Sequence, residues 1–429
     1  MAIFLLAIFA ILMLIGVPIG FVLGLTTLFG FLQLGDGSLL TILPQRFFSA
    51  MNSFAIVALP LFLLAGEIMN KAGLTDRLID FSNIFFGRVR GGLAQVNIFT
   101  SIIFGGISGS AAADTAALGS IFIPSMTKEG YDKYFSAAVT VASSIIAPII
   151  PPSIIMVIYG AIMGVSIAGL FAAGIVPGLM IGLALMLATR HIAKKRNYPR
   201  SEEKPTFKKI LVSTRRAALA LIMPFIILGG ILGGVVTPTE AAAVAVGFAL
   251  FLGLIVYRKL TFVDLYRLLF KTSMMMGIIA LIMSSAAVLA WLLASEQIPE
   301  KVAALFMSLT HNKYVILLLV NLFLIIVGMF MDITASLLIL APILAPLAID
   351  LGVNPLHFGV MMCINLNIAL MTPPLGGCLF MAMAIGQLEF GPLIRAIWPF
   401  ILVEMGVLFL VVYIPELTLT VPAWLGFVG

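Results

Sequence analysis

Apolar and polar residues fall along this chain in long blocks, not in the short alternation of a soluble fold. Met1–Val17 and Ile19–Leu34 are apolar runs meeting at Pro18, where a sharp turn is expected. Gly35–Ala50 is polar and amphipathic, and Met51–Asn70 is apolar enough to cross a membrane. Lys71–Arg90 mixes charged and apolar residues at helical spacing, which predicts a helix along the interface. Leu93–Gly105 and Ala111–Met126 then flank a run of tiny and polar residues, Gly105 to Thr115. At about 1.5 Å rise per residue these limbs reach roughly 20–24 Å, short of the roughly 30 Å hydrocarbon core. Two limbs too short to cross, joined by a soft tip, predict a re-entrant hairpin over 93–126. Irregular backbone survives at that depth only when it is buried in protein or lines a cavity.

Beyond the hairpin, Lys133–Val165 is helical but interrupted by Pro148, Pro151 and Pro152, and Ile167–Thr189 crosses. Ala217–Val236 and Glu240–Tyr257 meet at Thr237-Pro238-Thr239. Leu260–Phe270 reads as interfacial, Lys271–Ala294 as a crossing, and Pro299–Asn312 as amphipathic. Tyr314–Phe330 and Ile333–Ile349 flank Met331-Asp332, predicting a second hairpin over 314–349. Pro355–Gly386 is broken at Thr372-Pro373-Pro374, and Pro392–Tyr413 crosses last.

The two halves match. Val17-Pro18 pairs with Thr237-Pro238, and Ser53 with Ser273, at an offset of 220. Val96-Asn97-Ile98-Phe99 pairs with Val320-Asn321-Leu322-Phe323 at 224. Gly130 pairs with Gly352, and Pro151-Pro152 with Pro373-Pro374, at 222. So small a drift over such a length implies two structural repeats, residues 1–190 and 217–429, joined by a linker at 191–216. Five crossings separate the hairpins, and an odd number inverts the second repeat relative to the first.

Composition makes this a polytopic all-α membrane protein. The 429 residues are 62% hydrophobic and 10% charged, with mean hydropathy +1.21, against about 25% charged in soluble domains. Cys363 and Cys378 lie in apolar segments and suggest neither disulfide nor metal spacing. The first 45 residues contain no Lys or Arg, so the N-terminus reads as a retained helix without a signal peptide's basic region. The net charge of +6 needs no nucleic acid partner, because ten Lys and Arg sit between Arg190 and Arg216 and mark that loop as cytoplasmic. With that loop inside, all 24 Lys and Arg except Arg46, Lys301 and Lys313 fall on the cytoplasmic side. The acids Asp36, Glu240, Glu296, Glu300, Asp350 and Glu416 fall outside. The predicted topology has about ten crossings and two hairpins, with both termini periplasmic.

Inverted repeats with broken helices near the midplane are the architecture of secondary transporters. Proline at Pro148–Pro152 removes donors and frees carbonyls; with hydroxyls around a small cavity these suit an alkali cation such as Na⁺. Ser108 and Ser110 at the first tip face the first Pro-Pro break, and Thr334 near the second tip faces Thr372-Pro373-Pro374. The helix starting near Ala111 aims its N-terminal dipole at the same cavity, which favours an anion. Close helix packing is the plainer role for such small residues, but it does not explain paired proline breaks. The intramembrane acids are Glu67, Asp114, Asp332 and Glu404. Asp114 and Asp332 lie beside tips and suggest a site, with helix capping as the alternative. Glu67 sits near a cytoplasmic helix end, where water can reach it. Asn365 and Asn367 either line the cavity or bridge helices. Gly106-Ile107-Ser108-Gly109 has the shape of an intramembrane serine protease motif, but His191, His311 and His357 lie at or beyond the membrane edges. No Walker A, zinc or dinucleotide motif is present, so an enzyme is not expected and an ion gradient or partner chain must supply the energy.

The chain resembles the large membrane subunit of tripartite ATP-independent periplasmic (TRAP) transporters over nearly its whole length. The resemblance is carried by Leu59-Pro-Leu-Phe-Leu-Leu-Ala-Gly-Glu67, Phe104-Gly-Gly-Ile-Ser-Gly-Ser-Ala111 with Asp114-Thr115, and Ile150-Pro-Pro-Ser-Ile154. Thr237-Pro-Thr-Glu-Ala-Ala-Ala243, His357-Phe-Gly-Val360 and Thr372-Pro-Pro-Leu-Gly376 extend it. It implies an elevator-type, Na⁺-coupled importer of organic acid anions in the bacterial inner membrane. It also implies a small four-helix membrane subunit and a periplasmic substrate-binding protein as partners. By analogy one Na⁺ sits among Gly105, Ser108 and the carbonyls of Ala147, Ile150 and Pro152. The repeat carries that set to Gly328, Thr334, Ala369, Thr372 and Pro374. Ser110, Asp114, Asp332 and Asn365 are the candidates for the substrate. Sialic acid and C4-dicarboxylates are the leading substrate classes, and overall resemblance leans to sialic acid. The alternatives are a stand-alone Na⁺/dicarboxylate symporter and, remotely, the intramembrane protease.

Overall fold

The computed structural model describes residues 1–35, 39–200 and 206–428; Asp36 and Lys204 lie outside them. Every regular element among these residues is helical. Pro18 separates α1 (Ala2–Leu14) from α2 (Ile19–Leu34). The short α3 (Leu39–Ser49) leads to α4 (Phe54–Lys71), and the chain bends by 72° at Ala72-Gly73 into α5 (Leu74–Phe86). The first hairpin is α6 (Gly92–Ser108) and α7 (Ala111–Lys128). The first broken helix is α8 (Lys133–Ser144) and α9 (Ile154–Met163), followed by the 29-residue α10 (Ile167–Lys195). α11 (Phe207–Leu232) and α12 (Pro238–Leu250) follow, the latter running on as a π-helical segment to Val256. Then come α13 (Phe262–Ser295) and α14 (Ile298–Leu309), and the second hairpin of α15 (Lys313–Gly328) and α16 (Ile333–Asp350). The second broken helix is α17 (Pro355–Ala369) and α18 (Gly377–Gly386), and α19 (Phe390–Tyr413) and α20 (Glu416–Trp424) close the chain.

The helices sort into two packed groups. α2, α4, α12 and α13 pack on one another, with α3, α5 and α11 beside them, and form a frame. α6–α10 and α15–α20 form a bundle that meets the frame mainly through α5 against α6, α13 against α16, and α4 against α6 and α9. At the bundle's centre α8 and α17 are buried on every side, with polar side chains such as Thr140, Ser143, Asn365 and Asn367 among the buried ones. The outer surface shows large apolar side chains such as Leu6, Leu183, Phe225 and Leu402, which in lipid is the favourable arrangement.

Six described helices are long and apolar enough to cross a membrane: α10, α11, α12 with its π continuation, α13, α16 and α19. α4 and α5 pass the same test of length and composition only when taken together across their 72° bend. α1 and α2, expected as crossings, have only 13 and 16 residues, and α16, expected as a re-entrant limb, is long enough by composition to span.

Several expected boundaries move. The hairpin limbs run 92–108 and 111–128, beyond the 93–105 and 111–126 expected, because Gly106–Ser108 at the tip and Thr127–Lys128 at the far end stay helical. The limbs therefore extend roughly 25–27 Å. Leu260–Phe270 and Lys271–Ala294 are not separate: α13 is one 34-residue helix. A Thr261–Asp264 capping box starts it, and no helix breaker separates Phe270 from Lys271. Ser273 consequently lies inside α13, whereas its partner Ser53 stands at the N-terminal boundary of α4 without a side-chain capping bond. The basic linker 191–216 is also largely helical, since α10 runs to Lys195 and α11 begins at Phe207.

Candidate functional site

The first hairpin tip rests on the first broken helix, backbone against backbone. α6 ends at Gly109, whose φ of +59° turns the chain into α7. A Cβ built there would stand 2.4 Å from the Pro152 carbonyl oxygen, so the residue must be glycine both for its left-handed conformation and for this approach. Along the same edge a Cβ on Gly105 would lie 2.7 Å from Ala147 Cα, and one on Gly106 3.5 Å from the Pro151 oxygen. The break holds a cis Pro151–Pro152 peptide, and the Ser153 hydroxyl donates to the Pro148 carbonyl.

The tip and break thus bring Gly105, Ser108, Ala147, Ile150 and Pro152 into one neighbourhood. Among the described residues, the carbonyls of Ala147, Ile150 and Pro152 accept no backbone hydrogen bond and the buried Ser108 hydroxyl has no partner. A buried hydroxyl beside uncommitted carbonyls is a hard-oxygen set that fits an alkali cation in place of its water. No group of three His, Cys, Asp or Glu that could hold a metal occurs among the described residues.

The second tip is looser. Gly328 touches Ala369, a Cβ on Gly328 lying 2.6 Å from the Ala369 Cβ. The break again holds a cis peptide, Pro373–Pro374. Here, however, the Ala369 carbonyl accepts from the Thr372 amide at 3.0 Å, and the Thr372 hydroxyl donates to the Ile368 carbonyl at 2.8 Å. Pro374 is exposed and Thr334 half-buried, whereas Pro151 and Pro152 are buried.

The four candidate substrate residues are not gathered at one place. Ser110 is half-buried at the first tip and caps α7, its hydroxyl accepting from the Ala113 amide at 3.4 Å. Asp332 is exposed and caps α16 through the Thr334 amide at 2.8 Å. Asn365 lies in the bundle interior and bridges α17 to α15, donating to the Asn321 side chain at 2.8 Å. Asp114 is fully buried one turn into α7, behind the tip, with Ser101 and Ser144 facing its carboxyl. Both hydroxyls are engaged elsewhere, Ser144 to the Thr140 carbonyl at 2.7 Å and Ser101 to Ser143 at 3.0 Å. Neither Asp114 oxygen is therefore hydrogen bonded, and the same holds for Glu404 in α19. His357, the buried histidine, is engaged with the Thr418 hydroxyl at 2.7 Å, so it does not serve Ser108.

Two features escaped the sequence reading. A polar seam joins α6 to α8 through Asn97–Thr140 at 2.7 Å and Ser101–Ser143 at 3.0 Å, matched by Asn321–Asn365 in the second half. The repeat pairing of Asn97 with Asn321 was its available signal. The other is the approach of the frame to the tip. A Cβ on Gly66 of α4 would lie 3.4 Å from Ser108 Cα, and a pocket there is lined by Gly66, Glu67, Asn70, Ser108, Ser110 and Met275. Glu67 and Asn70 also border a larger cavity of about 330 Å³ that reaches Lys271. Nothing in one-dimensional spacing joins Glu67 to Lys271.

A family model described as "Tripartite ATP-independent periplasmic transporter, DctM component" matches residues 6–417. The chain is 40% identical to the sialic acid TRAP transporter large permease SiaM of Vibrio cholerae, covering 95% of each chain. It is 38% identical to the C4-dicarboxylate TRAP transporter large permease DctM of Pseudomonas aeruginosa, covering 89% of each. The solved structure of the Alcanivorax borkumensis YdaH transporter superposes with a TM-score of 0.63 at 17% identity, covering 91% of this chain and 90% of that one. That likeness is one of fold.

Proposed function

This chain belongs to the DctM component family of tripartite ATP-independent periplasmic transporters, and we propose that it imports an organic acid anion across the bacterial inner membrane in symport with Na⁺. The observation that carries the reading is the first tip-on-break junction. There Gly105 and Gly109 press on Ala147 and Pro152, beside the unpartnered Ser108 hydroxyl. Gly105, Ser108, Ala147, Ile150 and Pro152 hold one Na⁺; Gly328, Thr334, Ala369, Thr372 and Pro374 hold a second, weaker one. Capturing the ion draws the tip onto the break and completes the anion cavity beside Ser110, at the N-terminus of α7.

The two halves work as inverted repeats, and matched features support this. Gly130 and Gly352 both take positive φ, and Asn97 and Asn321 are both buried. The bundle carries the sites and moves against the frame as an elevator, with ten crossings, two hairpins and both termini periplasmic. A small four-helix membrane subunit and a periplasmic binding protein complete the transporter, and the binding protein selects the acid. Sialic acid and C4-dicarboxylates are the substrate classes named for the relatives. The test is uptake of labelled N-acetylneuraminate and succinate into proteoliposomes that hold the chain and both partners. Uptake of one acid is expected only with an inward Na⁺ gradient, and uptake driven equally well by K⁺ overturns the proposal.

A further inference from the structure

The cavity of about 330 Å³ lies where frame and bundle part, and its two walls differ in chemistry. The bundle wall is α7, which presents Ala113, Ala116, Ala117 and Ser120. Their spacing puts these small residues on one helix face, and with Ile121 beside them that wall carries no charge. The frame wall presents Glu67, Asn70, Asp76 and Lys271. Glu67 and Asn70 also border the inner pocket at Ser108 and Ser110, and an outer one that Lys71 and Lys259 line. A route from the hairpin tip to the basic face therefore runs past these two residues throughout.

Across this route the Lys271 ammonium meets a Glu67 carboxylate oxygen at 2.6 Å, joining α13 to α4. The pair is not sealed. The Lys271 side chain is 57% exposed and that of Glu67 19%. Ion pairs with this much water around them are weak and easily exchanged. Lys71, the neighbouring cation, is already paired with Asp264 at 3.1 Å. Lys271 therefore holds a carboxylate that a second carboxylate can replace.

We propose that Lys271 is the first cation a carboxylate meets on leaving the hairpin tip, and that Glu67 is the internal carboxylate it displaces. The pair keeps Lys271 neutralised until substrate arrives, and Glu67 reclaims it as the acid departs, which clears the route. Lys271 is thus a positioning residue for release on the basic side, and small α7 side chains leave room for an acid to pass. This inference rests on the reading of the first tip as the substrate cavity of an anion carrier.

The test uses the complete three-component transporter in proteoliposomes and measures the KM for N-acetylneuraminate or succinate, whichever wild type carries, at the face bearing Lys271. Lys271→Gln is expected to raise that KM about tenfold, with Lys271→Arg near wild type. Glu67→Gln, which leaves Lys271 unneutralised, is expected to lower the KM severalfold and slow turnover. Opposite signs are the signature of exchange, whereas a strut holding α4 to α13 would make both variants shift the same way. Same-sign shifts, or no shift in either variant with the fold intact by melting temperature, overturn the relay alone. Wild type that carries neither acid in response to Na⁺ overturns the parent reading, and the relay with it.

Discussion

Gly105→Ala probes the junction between tip and break most directly. The added Cβ would stand 2.7 Å from Ala147 Cα and 3.4 Å from its carbonyl oxygen. Carbon atoms settle at about 3.5–4.0 Å, so tip and break must separate by about 1 Å at this point. Both partners are backbone, and neither can rotate out of the way. Overpacking of this kind costs about 1–3 kcal/mol. Without Na⁺ the tip can relax and shed most of that cost. With Na⁺ held between the two segments it cannot, so the cost opposes the loaded state. A differential of that size corresponds to about a 5- to 150-fold rise in the Na⁺ concentration for half-maximal uptake. The assay is initial uptake rate against Na⁺ in the reconstituted three-component system. Gly277→Ala on α13 is the control, because its Cβ would meet nothing within 4 Å. Wild-type Na⁺ dependence in Gly105→Ala, with a wild-type melting temperature, would refute the junction as the ion site.

Three further outcomes follow from named contacts. Ser108→Ala removes a buried hydroxyl without a partner, so the melting temperature without Na⁺ should hold or rise while the Na⁺-induced increase shrinks; an unchanged Na⁺-induced increase counts against Ser108 as a ligand. Asp332→Ala loses the cap on the Thr334 amide and should cost about 1 kcal/mol in denaturant unfolding, with Asp332→Asn nearly neutral; equal losses would mean that the charge, not the cap, matters. Asn365→Leu strands the buried Oδ1 of Asn321, whose amide still donates to the Leu317 carbonyl, and should cost about 1–3 kcal/mol, with Asn321→Leu added restoring part of it; additive losses would show that the two side chains do not stabilise each other.

The legible part of this protein was what one-dimensional pattern encodes through burial and backbone chemistry. Apolar blocks placed the helices, because only a helix satisfies its own backbone in lipid. Paired prolines marked the breaks at 148–152 and 372–374, because two adjacent residues without donors unwind a helix, whereas isolated prolines such as Pro60, Pro124 and Pro342 stay inside theirs. Glycine and serine marked the first tip, where Gly109 is required by its φ and by the Pro152 carbonyl. The pattern by itself offered Ser108, Ser110 and Thr334 beside the two breaks as cation candidates; the carbonyl ligands came only from the family resemblance.

What the pattern lacked was everything decided by which helix faces which. Lys271 looked like a boundary between an interfacial and a crossing segment; inside a continuous α13 it is the partner of Glu67, 204 positions away. Asp114 looked like a cavity residue from its place beside the tip, yet the rotation of α7 turns it into the bundle toward Ser101 and Ser144. Asp332, at the matching end of α16, caps its helix in the open. A helix advances about 100° per residue, so neighbours in sequence point to different worlds. Spacing tells which residues share a face, but only packing tells what that face meets. The first tip is where both agree: its glycines were readable as a soft turn, and the tertiary structure alone laid that turn on the carbonyls of the Pro-Pro break.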